Sequence, residues 1–491
     1  MPAAGGPPVG DPGTAIPAGS HDGHVQDRRN GTGGPEVDPA TISRSSQRAA
    51  IRRWLRPGIG VKRWLVVSFL GLLALALAGA LVLKQVYREV ELTGPLQAVV
   101  WAVTLQFLPY HLRAIPLVAG GFALFFLGVF MLVRTLLSPF GERSEPLADV
   151  IYQKRSRARG PRIVAVGGGT GLHTLLRGLK EHTSNITAVV AVADDGGSSG
   201  KLRAEFGIAP MGDIRNCIAA LADAEPLMTR LLQYRFPEDT TGEPSLAPPG
   251  LGGHSFGNLF IAAMSAIEGD FEEGVRQSNR VLAVRGQVVP ASSVPLTLRA
   301  RLAGGGELVG QSVIARATGI DRVCVTPADA PVTEEALEAI AAADLIVLGP
   351  GSLFTSLMPS LLLPPLRDAI AASPALRVYV CNVATQLGET EGYGLADHVA
   401  ALMRHAGEGI CDVVLANDDF AARRSVDDPS DAVRLDWAPP PGRPVPALVA
   451  ADVVDVENAH QHDPARLAAA LVEIGRDRER YRPTPAVVAR G

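Results

Sequence analysis

The sequence predicts an α/β fold: a Rossmann-like, mostly parallel sheet with a small β-rich insertion, preceded by a two-helix transmembrane hairpin. Three observations carry this expectation. From residue 161 onward, short β-branched runs alternate with stretches of helical periodicity. Several of those runs end in glycine, serine, aspartate or asparagine, the residues that ligand loops use. Upstream, two runs of 20 residues contain no charged side chain.

Residues 1–43 are rich in Gly, Pro and Ala and poor in large apolar side chains, so little burial offsets the entropy of ordering them, and they read as a disordered tail. No apolar core follows a basic start within the first 30 residues, which speaks against a cleaved signal peptide. Residues 44–140 read as a membrane anchor. At about 1.5 Å per residue, the uncharged runs 64–83 ("WLVVSFLGLLALALAGALVL") and 114–133 ("AIPLVAGGFALFFLGVFMLV") each cover a hydrocarbon core of about 30 Å. Arg44, Arg48, Arg52, Arg53, Arg56, Lys62 and Arg63 precede the first run, and Arg134 and Arg143 follow the second. The segment between is of mixed charge, so the expected location is the cytoplasmic membrane, with both termini and the main domain on the cytoplasmic side. A basic linker, 141–160, leads into that domain, which is expected to occupy 161–480; the "QKRSRARGPR" stretch (153–162) reads as only a solvated linker that also sets topology, the alternative being contact with anionic lipid headgroups.

In the domain, "RIVAV" (162–166), "ITAVVAVA" (186–193), "ADLIVLG" (343–349), "LRVYVCNV" (376–383) and "CDVVLAN" (411–417) read as buried parallel strands. "TLLRGLKEH", "DIRNCIAALADA", "EEALEAIAAA" and "GLADHVAALMRHA" read as the helices between them. The stretch from about 284 to 330 breaks this rhythm with short strands and Gly turns, and is expected to form the β-rich insertion. The Pro-rich "APPPGRPVP" (438–446) reads as a surface loop before the last strand.

Composition removes several functions. With 46 Lys+Arg against 50 Asp+Glu, the formal charge is −4 and the chain carries no general attraction for nucleic acid. Cys217, Cys324, Cys381 and Cys411 lie far apart without a C-x-x-C pair, which argues against a structural zinc or a disulfide framework.

The chemistry concentrates at strand ends. Gly167, Gly168, Gly169, Thr170 and Gly171 lie between a strand and a helix, where free N–H groups and close backbone approach favour a phosphate. Leu172 stands where a dinucleotide fingerprint needs its last glycine, so dinucleotide binding does not follow. "VADDGGSSGKLRAEFG" (192–207) follows the second strand. Asp195 and Leu202 break a P-loop pattern, so Asp194 and Asp195 are read as contacts to a ribose hydroxyl or to Mg²⁺, and Gly196, Gly197, Ser198 and Ser199 as phosphate ligands; the alternative is a polar turn. In "GDIRN", Asp213 suits a helix cap, while Arg215 and Asn216 face the same crevice, and the Arg215 guanidinium suits bidentate recognition of the ligand's diphosphate. His254 and Asn258 open an apolar helix and are read as ligand contacts or caps, with acid–base catalysis by His254 the weaker reading. Gly349, Gly351 and Ser352 follow one strand, and Asn382, Thr385 and Gln386 another, which suits a shared pocket at the carboxyl edge.

Together "GGGTGL", "VADDGGSSGKLR", "GDIRNCIAALAD", "HSFGNL", "GPGSLFTS" and "CNVATQLGET" resemble the bacterial gluconeogenesis factor (YvcK-like) family, which binds UDP-N-acetylglucosamine and is similar to 2-phospho-L-lactate transferase (CofD-like). The resemblance covers about residues 160–475. It implies a cytoplasmic-facing regulator that binds a nucleotide sugar and links central carbon metabolism to cell-wall precursor synthesis and cell shape; the membrane hairpin is absent from the shorter soluble relatives and is an addition whose role the family does not explain. Protein partners in cell-wall precursor synthesis and a homo-oligomer are compatible with it. It implies no demonstrated catalysis, and no cofactor beyond Mg²⁺ on Asp194 and Asp195 is expected. Met211, Leu387 and Gln461 depart from the family pattern of Pro, Pro and Arg; the last touches a phosphate or sugar contact. The alternative reading is a Mg²⁺-dependent transferase that moves a phosphate-containing group from a nucleotide-activated donor.

Overall fold

A computed structural model describes residues 154–222, 226–237, 250–420, 431–437 and 445–481, with scattered positions between 69 and 131. Two compact units divide the chain at 148/149. Most of the two apolar runs, 64–83 and 114–133, the tail 1–43, most of the linker 141–160 and most of the loop 438–446 lie outside the described residues. Among the described residues no helix is long and apolar enough to cross a membrane. The positions that are described within the two runs, Phe69, Leu72, Leu73, Phe122, Phe126 and Phe130 among them, are helical.

The second unit is built on seven parallel strands. They are β1 (Ile163–Gly167), β2 (Ile186–Val190), β3 (Gln287–Pro290), β7 (Leu345–Leu348), β8 (Leu376–Val380), β9 (Val413–Asn417) and β10 (Ala447–Ala451), in the spatial order β10-β9-β8-β7-β1-β2-β3. Between β3 and β7 in the chain, β4 (Thr297–Leu302), β5 (Glu307–Val309) and β6 (Ile320–Thr326) form a separate antiparallel sheet. The insertion is therefore shorter than the sequence suggests. Residues 287–290 read as part of it, yet they pair in parallel with β2, Thr187 to Gln287 and Val190 to Pro290, because Val288 and Val289 are buried at the sheet edge.

The helices that bear on the site are α1 (Gly169–Leu179), α2 (Gly197–Phe206), α3 (Gly212–Leu221), α4 (Pro226–Gln233) and α5 (Phe256–Glu268). Beyond them, α6 is Phe271–Val281, α7 Gln311–Ile314, α8 Glu334–Ala341, α9 Met358–Leu361, α10 Pro364–Ala372, α11 Leu395–Ala406 and α12 Pro464–Arg476. Right-handed crossovers from β1 toward β2 and from β7 toward β8 run in opposite directions, so α1 and α10 cover opposite faces. The central strands are buried on both: every residue of β1, β7 and β9 is buried, the near-continuous apolar pattern of parallel sheets.

The edge where the strands begin is closed by ion pairs. Arg377 forks onto Asp412 with Nη2–Oδ1 at 2.6 Å and Nε–Oδ2 at 2.9 Å, and its backbone N–H donates to the same carboxylate at 3.0 Å. Asp344 does the same for the start of β1, accepting the backbone N–H of Arg162 at 2.9 Å. These carboxylates satisfy N–H groups that the ladder leaves open and leave the opposite edge free for chemistry.

α1 approaches α12 so closely that a Cβ on Gly178 would lie 1.8 Å from the Pro464 carbonyl oxygen. Gly178→Ala is therefore expected to cost about 2 kcal/mol or more in urea denaturation, because backbone must move to admit the methyl group. Gly475→Ala, also helical and 3.6 Å from its nearest neighbour, the Leu345 side chain, should be neutral or gain about 0.5–1 kcal/mol. Equal stability of the two variants would contradict this packing.

Candidate functional site

β1 lies between β2 and β7, so the chain leaves the sheet in opposite directions on its two sides. Such a switch point opens a crevice at the carboxyl ends of the strands. One wall is the turn into α1. Gly168 takes the N-cap position in extended conformation without a side-chain cap, and Gly169 is left-handed at φ +65°. The other wall is the loop after β7, where Gly349 (φ +82°) and Gly351 (φ +152°) bend the chain. The walls touch through backbone: a Cβ on Gly171 would lie 2.6 Å from the Pro350 carbonyl oxygen.

Between them lies a cavity of about 390 Å³. Gly169, Thr170, Gly171 and Thr174 line it from α1, Pro350, Gly351, Ser352 and Ser356 from the β7 loop, and Asn382 to Gln386 from the β8 loop. His460, Gln461 and His462 complete it from the segment after β10. No lysine, arginine or carboxylate is among these residues. Asn382 Oδ1 accepts the Gly351 N–H at 3.3 Å, and the Gln386 Oε1 is buried without a partner. His462 is buried and its Nε2–H donates to the Cys381 carbonyl at 3.1 Å; burial pushes its imidazole down to about 4, which leaves a neutral ring with Nδ1 as acceptor.

The β7 loop is held from behind by Glu389. Its buried carboxylate accepts the N–H of Phe354 (2.6 Å) and Thr355 (3.1 Å) and the Thr355 hydroxyl (2.9 Å), at the start of a π-helical turn, Leu353–Leu357. Burial raises its pKa against those hydrogen bonds. An acid at a helix start, where N–H groups lack intrahelical partners, is the residue type this position requires.

The loops after β2 and around α3 and α5 build a second, adjoining cluster. Asp194 Oδ1 accepts the Gly196 N–H at 2.9 Å, and Gly196 then caps α2. Ser198 Oγ accepts from Asn258 Nδ2 (3.1 Å) and from the Ser255 N–H (3.3 Å), so its own proton is directed to His254 Nδ1 at 3.2 Å. Asn258 also reaches Ser199 at 3.4 Å. Arg215 Nη2 donates to Asn216 Oδ1 at 2.8 Å. Asp213 adjoins the glycine turn: a Cβ on Gly168 would lie 2.6 Å from its Oδ2, and it accepts a backbone hydrogen bond from Gly169.

The expected single pocket is thus two adjoining sites. Gly169, Thr170, Gly171, Gly351, Ser352, Asn382, Thr385 and Gln386 line the cavity, while Gly167, Gly168 and Gly349 shape its walls. Asp194, Ser198, Ser199, Asp213, Arg215, Asn216, His254 and Asn258 belong to the second cluster. Asp195 joins neither, because its Oδ1 accepts the Ser312 N–H at 2.9 Å and its Oδ2 occupies the space that a Cβ on Gly310 would need. It anchors the insertion, so Asp194 and Asp195 do not converge on a common point, and the carboxylate that feels Asp194 is Asp213. Among the described residues no group of three or more His, Cys, Asp or Glu side chains could hold a metal. Reading site residues strand by strand missed Thr174, Ser356, His460, His462 and Glu389. The polar run "NAHQHD" after the last strand was the available signal for the two histidines.

Burial pushes the Asp213 carboxyl up to about 6, with the charge of Asp194 adding to it and the Gly169 hydrogen bond and Arg215 opposing. The folded protein then holds a proton that the unfolded chain releases from about pH 4. The contribution of this group is fully present below the unfolded value and is lost as pH rises through 6. Asp213→Asn should therefore gain on the wild type as pH rises from 4.5 to 7.5, by about 2 kcal/mol, since part of the effect of a shift of about two units already falls below pH 4.5. Urea denaturation at both pH values checks this, and a difference that does not change with pH would refute the buried, protonated carboxyl.

The arrangement has relatives. A family model described as 2-phospho-L-lactate transferase CofD matches residues 163–442. A Bacillus subtilis protein named gluconeogenesis factor is 48% identical over 260 residues, 53% of this chain and 79% of that one. A Nostoc relative is 48% identical over 382 residues, 76% of this chain and 80% of its own, a match longer than the stretch from 161 to the C-terminus, so the likeness reaches into the N-terminal region. A Bacillus halodurans crystal structure, of a protein of the upf0052 family, aligns with a TM-score of 0.57 at 41% identity, over 64% of this chain and 99% of that one. The chain belongs to the CofD-like family of gluconeogenesis factors.

Proposed function

We propose that the α/β domain binds a nucleotide sugar of the UDP-N-acetylglucosamine type and acts as a ligand-responsive regulator rather than as a catalyst. The observation that carries this reading is the cavity at the switch point. Beyond Gly169, whose N–H Asp213 takes, its α1 end offers backbone N–H groups without a side-chain cap and a helix dipole to phosphate oxygens, and the rest offers hydroxyls, carboxamides and neutral imidazole to a group rich in hydroxyls. A ligand that closes the two loops about the switch point would shift the population of conformers that engage partners in cell-wall precursor synthesis. The names of the relatives support a tie to central carbon metabolism.

The same reading tethers the domain to the cytoplasmic membrane. Leu72, Leu73, Phe126, Leu127, Phe130 and Met131 are helical and exposed, and the rings of Phe69 and Phe122 stack at 5.3 Å. Two helices that touch through aromatic rings and present leucine and phenylalanine outward suit lipid as solvent.

Titration of the chain with UDP-N-acetylglucosamine by calorimetry, with and without Mg²⁺ and followed by mass analysis of the ligand, tests the reading. Saturable binding of an unchanged ligand without Mg²⁺ is expected, with affinity falling about tenfold in Gln386→Ala, whose carboxamide oxygen awaits a donor. Absence of binding would reject the proposal. The transferase reading rests on the neighbouring carboxylates Asp194 and Asp213, which with substrate phosphates form a donor set that Mg²⁺ accepts. Mg²⁺-dependent cleavage of the nucleotide donor would establish it in place of the regulator.

A further inference from the structure

Arg215 is half-buried and Arg235 exposed, and neither has the carboxylate partner that several arginines of the domain have. Arg157 pairs with Glu181, Arg377 with Asp412, Arg276 with Glu335 and Arg285 with Glu181. Among the described residues, no carboxylate lies within 4 Å of Arg215 or of Arg235. Both nonetheless flank one short stretch of chain, His254–Gly257. Arg215 packs so tightly under it that a Cβ on Gly257 would lie 2.7 Å from its Cγ and Cδ. Arg235 forms an antiparallel bridge with Ser255 and donates from Nη1 to the Gly253 carbonyl. The Nε of Arg215 is buried and donates to nothing.

We propose that Arg215 and Arg235 together form a phosphoryl-binding pair, next to the glycine turn, that takes the charged part of the ligand. The inference rests on the nucleotide-sugar reading and adds to it a site outside the neutral cavity. Two unpaired guanidinium groups held beside one segment repel each other, and an isolated buried N–H costs free energy; one tetrahedral dianion removes both costs, because guanidinium donors match phosphate oxygens in pairs. The surroundings agree. His173, half-buried one turn beyond Gly169, is held down to about 4 by burial and by the charges of Arg177, Lys180 and Arg215, so the imidazole stays neutral in a positive field. Arg235 in turn lowers the pKa of Arg215, after burial the largest influence on it, while Asp213 and Asp194 offset part of that field from beyond ion-pair distance. Asp213 packs against the Gly168 turn, and the charge of Arg215 reaches both Asp213 and His173 on α1, which places Arg215 beside the α1 end of the cavity.

The experiment uses the full chain in detergent micelles, titrated separately with inorganic pyrophosphate and with UDP-N-acetylglucosamine. Arg235→Gln should weaken pyrophosphate tenfold or more, and Arg235→Lys should recover part of the loss. Arg177→Gln, which removes an equal charge from the exposed side of α1, should stay within twofold of wild type. The melting temperature of unliganded Arg235→Gln should match or exceed that of wild type, since the variant relieves repulsion rather than breaking an ion pair; a structural role would lower it. Unchanged pyrophosphate affinity in Arg235→Gln, or no pyrophosphate binding by the wild type, overturns the pair, even where the sugar nucleotide binds. Arg235-dependent pyrophosphate binding without any binding of the sugar nucleotide upholds the pair and removes the nucleotide-sugar reading instead.

Discussion

The backbone contact between the turn after β1 and the loop after β7 is the constraint on which the rest of the site depends. Parallel strands that continue in opposite directions leave a gap between the first loops on each side, and its width is set by how closely those loops approach. Here Gly171 meets the Pro350 carbonyl with no room for a Cβ, and Gly167 lies opposite Gly349 at ordinary contact distance. Any side chain at 171 would wedge the crevice open and turn α1 away from it. The glycines therefore do two things at once: they let the walls meet, and they leave the N–H groups that follow Gly169, whose own N–H Asp213 takes, at the cavity without a side-chain cap.

Carboxylates then hold this geometry in place. Glu389 organises the π-helical turn behind the β7 loop, Asp195 fastens the antiparallel insertion to the end of β2, and Asp412 and Asp344 clamp the strand starts at the far edge. Each is an acid that accepts backbone N–H groups with no partner in the ladder or helix. Their work explains how a cavity without a charged side chain sits in a region rich in Asp and Glu. The acids face backbone, and the ligand space is left to hydroxyls, amides and imidazole.

Much of this was legible from residue order. The strands β1, β2, β7, β8 and β9 are apolar runs of five or so residues, too short for helices and flanked within a few residues by Gly, Pro, Asp or Asn, and the sequence pattern places each of them. β3 was not, because Gln287–Pro290 resembles the neighbouring strands of the insertion; only its burial against β2 separates it from them. The glycine turn and the polar ends of β7 and β8 were likewise legible, since few structural needs other than close approach account for Gly167–Gly171. His460 and His462 were not, because they reach the cavity from a segment about 290 residues after the glycine turn.

Residue types by themselves determined that the domain is a doubly wound sheet with its chemistry at the carboxyl edge, because periodicity, strand length and glycine placement act locally. Only the tertiary structure decided which polar residue serves which purpose. Asp194 and Asp195 are neighbours in sequence, yet one packs against the start of α3 at Gly212 and the other fastens the insertion. Successive side chains in extended chain point to opposite sides, and what each then meets, Gly196 and Asp213 for the first and Ser312 for the second, is supplied by chain up to about 120 residues away.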